Sequence, residues 1–381
     1  MFAKIVYFCA MRFLTADYLF PLFIAPIKQG VLQISDKGEV LAIFKNRSEV
    51  PQDKLEIFEG ILCPGFVNAH CHLELSHIRG NAEKGKGFLE FSKIIRQRDN
   101  YTHIAKKQAF EKAEQEMIAN GIVAVGDICN TRDTLEKKQK NNLKYYNFIE
   151  TFGVDINKDN VVFNQAIELR NKFRYAGQKA SIVPHAPYSV PPVLTRKINN
   201  AFDDNDELLT IHMQETKEEN QLFENQNGPF LNWLNGMNAT SSIWENRSKS
   251  TDILQELGDK KVLLVHNTFA KKEDITDNYY CTCPKANLYI ENNLPDYSIF
   301  DTDKLCVGTD SLASNDSLSI LDELLIIQNN SDFDLNTLLK IACKNGAKVL
   351  GFEQLGTFEI GKIPGVNLIK SFDENKITKL I

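Results

Sequence analysis

From about residue 61 onward, short apolar runs alternate with longer stretches of helical periodicity, and no other feature restricts the fold as strongly. The strand candidates are 61–68, 121–127, 144–150, 180–184, 208–212, 261–266, 280–288 and 305–310, the seventh irregular because Pro284 interrupts it. A helical stretch covers 104–119, and two more close the unit at 318–328 and 335–350, the last ending near Gly351. Strands alternating with helices imply βα units and a parallel sheet. Eight such units spread over roughly 250 to 280 residues match the size of a (β/α)8 TIM barrel. The barrel is therefore expected over 61–352. Residues 1–60 instead show short strands: 30–34 and 40–44 flank Asp36-Lys37-Gly38, a hairpin signal. The tail 353–381 is strand-like again and can return to pair with 1–60.

Composition narrows the class of partner. The 381 residues fit one large barrel with an appendage, or two domains. With 43% hydrophobic and 25% charged residues, the chain is an ordinary globular protein. The net charge of −6 and the absence of a basic stripe argue against a nucleic-acid face. Lysines such as Lys137-Lys138 and Lys271-Lys272 lie among carboxylates and read as a solvated mixed surface. Most of the eight cysteines sit in apolar runs and read as small core residues, and Cys281-Thr282-Cys283 is a poor structural zinc site. At the start, Lys4 before Ile5–Met11 imitates a signal peptide. Arg12 and Asp17 break that run and no small-residue cleavage site follows, so paired strands are the reading. No stretch is long enough to span a membrane. The expectation is a cytoplasmic protein acting on a small molecule, with no nucleic-acid or membrane partner; a homodimer is one assembly open to it.

The chemistry lies in the histidines. The chain has seven, and His70, His72, His185, His212 and His266 fall at or just past the C-terminal end of an expected strand. In a barrel these ends converge on one mouth, where active sites are found. One such histidine is ordinarily a satisfied core residue; five in register are not. His70-Cys71-His72 puts two imidazoles on one side of an extended chain, so both can hold one metal. His212 and Asp310 can add two ligands from across the barrel. Three nitrogens and one carboxylate oxygen suit zinc and also divalent iron. A metal of this kind brings the pKa of bound water down to about 7. Glu215 stands three residues after His212 and can take that proton and pass it on. Glu218 and Glu219 read as surface carboxylates. His266 can orient the water or stabilise a developing oxyanion.

Taken together, Pro64–His72, Pro184–Val190, His212–Thr216, Val265–Asn267, Cys283–Leu288 and Gly308–Ser311 resemble, in order, the motifs of the amidohydrolase superfamily. They are similar to the branch that holds the S-adenosylhomocysteine, guanine, cytosine and aminodeoxyfutalosine deaminases and the triazine chlorohydrolases. The resemblance implies one metal on His70, His72, His212 and Asp310. It implies Glu215, His266 and Asp310 as catalytic groups and His185 as a substrate contact. It also implies a small β-sandwich made from both chain ends, here 1–60 and 353–381. Binuclear members use a modified lysine at the end of strand four; Pro184-His185 stand there. The alanine-aspartate that usually follows the late glycine-lysine is absent after Gly361-Lys362, which leaves the sandwich register open. Leu73–His77 and Gly87–Phe91 most resemble the aminodeoxyfutalosine deaminase group. On that basis Glu74 contacts the substrate or pairs with Arg79, and Phe88 and Phe91 wall the pocket or form a helix's core face. The expected reaction is hydrolytic deamination of an aminated purine or related heterocycle. Hydrolysis of a carbon–halogen bond or a cyclic amide at the same site is the alternative within enzymes, and a ligand-binding barrel the alternative outside them.

Overall fold

The structure is a computed structural model and describes residues 11–202, 208–372 and 376–381. Eight parallel strands form the barrel: β1 Phe66–Cys71, β2 Ile122–Cys129, β3 Lys144–Thr151, β4 Lys179–Pro184, β5 Leu209–Met213, β6 Val262–His266, β7 Tyr279–Thr282 and β8 Leu305–Val307. They pair in sequence order within two runs, β1 to β4 and β5 to β8. At one seam Cys71 bridges Asp310, and the Asp310 N–H donates to the His70 carbonyl at 3.1 Å. At the other, the His212 N–H donates to the His185 carbonyl at 2.9 Å. Helices cover the outside, so β5 and β6 are buried along their whole length. That double burial is why Val262–Val265 of β6 reads as a continuous apolar run rather than an alternating one.

Two strand expectations change. The stretch 61–68 is two strands, not one. Ile61–Pro64 pairs antiparallel with Val366–Ser371 and parallel with Tyr18–Leu19, outside the barrel, which therefore begins at Phe66 rather than at 61. Gly65 divides them: a Cβ there would meet Val123 Cγ1 at 2.4 Å and the Pro364 carbonyl at 2.8 Å. Further on, Pro284 does not interrupt a strand. It opens the helix Pro284–Glu291, where its missing N–H costs nothing.

The chain ends supply two further sheets. One orders Val40–Phe44, Val31–Ser35, Met11–Thr15 and Leu55–Ile57; the other orders Lys376–Lys379, Val366–Ser371, Ile61–Pro64, Tyr18–Leu19 and Ile27–Lys28. Leu14, Leu19, Leu32, Leu62, Phe358 and Leu368 pack into one core there. The Asp36-Lys37-Gly38 turn joins an antiparallel pair, with Gly38 at φ +79°. The register around Gly361-Lys362 is fixed by Val40: its N–H donates to the Lys362 carbonyl, and the Gly361 N–H donates to the Val40 carbonyl, both at 2.8 Å. Of the apparent leader, residues 5–10 lie outside the described residues, and Met11 begins a strand. Cys9 also lies outside them; the other seven cysteines are buried and free. Among the described residues no helix is long and apolar enough to cross a membrane.

Candidate metal centre and active site

His70 lies on β1 and His72 follows it, His212 lies on β5, and Asp310 sits three residues past β8. The Nε2 atom of His72 is 3.1 Å from Nε2 of His70 and 3.2 Å from Nε2 of His212. Asp310 Oδ1 lies 3.4 Å from His72 Nε2 and 3.7 Å from His70 Nε2. Burial, then the neighbouring imidazoles, holds His70 and His72 well below the ordinary histidine pKa, so both are neutral. The Nδ1 atom of His212 is 2.8 Å from the His185 carbonyl and must donate to it, which leaves Nε2 a bare acceptor. Three ring nitrogens crowded around one point cannot all be satisfied by sharing protons; a cation at their centre satisfies them together. Tetrahedral zinc with Zn–N near 2.0–2.1 Å sets neighbouring donors about 3.3–3.4 Å apart. The residues present fit a divalent ion, and this is a metal-binding site.

Beyond the donors, partners fix each ring and carboxylate. Asp310 Oδ2 accepts from the Ser314 hydroxyl at 2.6 Å, which turns Oδ1 toward the histidines. His266 Nδ1 sits 2.8 Å from Asn287 Oδ1; the amide oxygen can only accept, so the Nε2 lone pair faces Glu215, whose Oε1 is 3.8 Å away. Burial, more than the opposing pull of His212, pushes the Glu215 carboxyl up to about 8. Its backbone is held by Glu219, whose carboxylate accepts from the Gln214 N–H at 2.9 Å and the Glu215 N–H at 3.4 Å. Glu219 is thus fully buried, not a surface carboxylate. Gln214, His266 and Asp310 hold positive φ of 48°, 71° and 54°, a conformation uncommon outside glycine that gathers at functional sites.

These groups open into a cavity of about 590 Å³, within the range of small-molecule sites. His72, His185, His212, Glu215, His266 and Asp310 all line it. Burial brings His185 down to about 4, and its Nδ1 lies 2.7 Å from the Ser189 hydroxyl. Both readings of Phe88 hold: it lines the cavity and packs within 5.6–6.1 Å of Tyr188, Phe230 and Trp233. Phe91 and Arg96 also line it.

Glu74 departs from both expectations. It is absent from the cavity wall, and its carboxylate accepts from the N–H groups of Asn130 and Thr131 at 3.0 and 3.1 Å. Arg79 pairs with Glu116 instead. Glu74 therefore anchors the loop after β2, and a carboxylate so close in sequence to His72 gave no sign of that distant partner. Lys138 departs as well. It is fully buried, paired with Asp127, and not part of a solvated surface. Glu150, Asn130, Arg98 and Trp233 line the cavity without having been singled out in the sequence. Glu150 ends a strand candidate, as the histidines do, and that position was the available signal.

The family model described as the amidohydrolase family matches residues 61–381. An aminodeoxyfutalosine deaminase of Nitratiruptor sp. is 26% identical over 323 residues, covering 81% of this chain and 78% of the relative. An adenosine deaminase of Helicobacter pylori is 27% identical over 350 residues, covering 86% and 83%. The crystal structure of Helicobacter pylori aminofutalosine deaminase with methylthio-coformycin superimposes with a TM-score of 0.77 at 24% identity, covering 94% of this chain and 92% of that one, a likeness of fold. With six motif segments in order, four converging donors and this match, the chain belongs to the amidohydrolase family.

Proposed function

We propose that this chain is a hydrolytic deaminase of a 6-aminopurine nucleoside or a 5′-substituted relative. One observation carries the reading: the donors His72, His212 and Asp310, the buried Glu215 carboxyl and the oriented His266 line the same cavity. A divalent ion, when bound to His70, His72, His212 and Asp310, supplies Lewis acidity that makes water a nucleophile near neutral pH. Zinc is the ion we assign; divalent iron accepts the same donors. Water adds at the carbon that bears the amino group, and the C=N bond of the ring amidine opens toward nitrogen. Glu215 takes a proton from the attacking water and delivers it to that ring nitrogen. His266 accepts a hydrogen bond from the water through Nε2 and fixes its direction of approach. Asp310, held by Ser314, accepts the second proton on its way to the departing ammonia. The names of the two relatives support a deaminase, and the aromatic wall that includes Phe88 and Trp233 offers stacking surface to a heterocycle.

The test is a steady-state comparison of ammonia release from aminodeoxyfutalosine, S-adenosylhomocysteine, adenosine, guanine and cytosine with chloride release from a chlorotriazine. The expected result is a nucleoside preferred over the bare bases and the chlorinated ring. A tenfold preference in kcat/KM the other way, about 1.4 kcal/mol of transition-state discrimination, defeats the nucleoside reading and leaves the metallohydrolase standing.

Elemental analysis of metal-replete protein is expected to give one divalent ion per chain. Glu150, His185 and His212 also bring ligand atoms within 4.8 Å of one another. However, His212 Nδ1 already donates to the His185 carbonyl and cannot ligate a second ion. Two equivalents, with activity that needs both, overturns the mononuclear assignment.

A further inference from the structure

Glu150, at the end of β3, is a cavity-lining carboxylate that the reaction above leaves unused. Its side chain is 6% exposed. One oxygen, Oε2, accepts from Asn130 Nδ2 at 2.9 Å. The other, Oε1, is buried and has no hydrogen-bond partner. The nearest imidazole nitrogen to it, His212 Nδ1, is 3.6 Å away and donates elsewhere. A buried carboxylate oxygen left unpaired is costly, and native structures almost always pair such atoms.

The orientation of Glu150 is built, not incidental. Glu74 holds the backbone N–H groups of Asn130 and Thr131. Arg98 donates to Asn130 Oδ1 at 3.2 Å, which fixes the amide so that its NH2 faces Glu150. The two residues that hold this carboxylate, Asn130 and through it Arg98, belong to the same cavity wall. The unpaired oxygen therefore has a fixed place from which to accept a hydrogen bond.

We infer that Glu150 accepts a hydrogen bond from a sugar hydroxyl of the substrate and thereby selects ribonucleosides over free bases and deoxynucleosides. This rests on the deaminase reading and adds to it a recognised group. Chemistry narrows the donor. A carboxylate needs an O–H or N–H, and the edge of an N9-substituted 6-aminopurine presents only acceptors apart from the amino group that leaves. That amino group belongs at Glu215 and the Nε2 side of the donor histidines, whereas Glu150 Oε1 lies 3.6 Å from the opposite, Nδ1 face of the His212 ring, toward β3 and β4. The remaining donors of a nucleoside are its ribose hydroxyls.

The experiment compares kcat/KM for adenosine, 2′-deoxyadenosine and 3′-deoxyadenosine in the metal-replete wild type and in Glu150→Leu, a change that removes the acceptor and keeps the bulk. A hydrogen bond to a charged group corresponds to about 10- to 100-fold. The wild type is expected to lose about that factor with at least one deoxy analogue. In Glu150→Leu the same ratio is expected to collapse to within about threefold, with metal content unchanged. A general loss of structure lowers all three substrates together and does not move the ratio. If the wild type treats the three nucleosides alike within threefold, the inference is wrong even if the variant fails to fold. An equal deoxy penalty in Glu150→Leu also overturns it, as does loss of a second metal equivalent in that variant. If the wild type deaminates no nucleoside while hydrolysing another ring, the deaminase reading itself falls, and this inference with it; that outcome is distinct from active but undiscriminating turnover.

Discussion

Glu215→Gln is expected to bind metal as the wild type does and to lose about 10²- to 10⁴-fold in kcat, the range of a positioned proton shuttle. The carboxyl lies 3.8 Å from His266 Nε2, and the converging donors are complete without it. Its backbone is held by Glu219 through the Gln214 and Glu215 N–H groups, so replacing the side chain leaves that loop tied. Glutamine keeps the shape and one acceptor but can neither take nor return a proton near neutrality. Burial favours the protonated acid, hence a pKa near 8; a divalent cation at the adjoining donors pulls it back down, toward the range where a carboxyl can accept and release a proton in one cycle. The measurement is kcat at saturating substrate beside metal content. Retention of more than about a tenth of wild-type kcat sinks the shuttle role. Loss of metal in the variant sinks the separation between shuttle and ligand.

The legible part of this molecule was the part that repeats. Strand–helix alternation pointed to the barrel, and five histidines in register pointed to its mouth, because a parallel barrel brings all strand ends to one place. Boundaries were less legible where one residue changes the path. Gly65 stands between Ile61–Pro64 and β1 where a Cβ would meet Val123 and the Pro364 carbonyl, and neither neighbour is near it in sequence. Side-chain partners across the fold were not legible at all. Glu74 meets the loop at Asn130 and Thr131, and Asn287 meets His266, over separations that local pattern does not encode. Lys138 stands in a charged run and reads as surface, yet the following chain folds it inward onto Asp127.

Lys138→Met is expected to destabilise the barrel by about 3–5 kcal/mol, the cost of leaving a buried charge without its partner. Lys138 and Asp127 are both fully buried. The Lys138 ammonium also donates to Asn147 Oδ1 at 2.7 Å and lies 5.0 Å from the Tyr145 ring and 5.3 Å from the Phe173 ring. Burial works against the ammonium, but the Asp127 carboxylate more than offsets it and holds the proton well above the ordinary lysine range. Methionine fills the space and leaves Asp127 ionised in a dry site, or protonated at a cost. Thermal unfolding should show a midpoint lower by on the order of 4–6 °C. A shift that corresponds to less than about 1 kcal/mol would mean that the pair is dispensable. The double change Asp127→Leu with Lys138→Met removes both charges, and apolar replacement of a buried pair is often neutral, so most of the midpoint should return. Metal affinity should nevertheless fall in the double variant. Asp127 Oδ1 also accepts from the Leu73 N–H at 2.8 Å, and Leu73 directly follows the donor His72. With that acceptor gone the N–H is buried unpaired and the segment His70-Cys71-His72 loses one of its fixed points. Recovered melting with weakened metal binding separates the two duties of Asp127: balancing Lys138, and holding the chain that carries two of the metal donors.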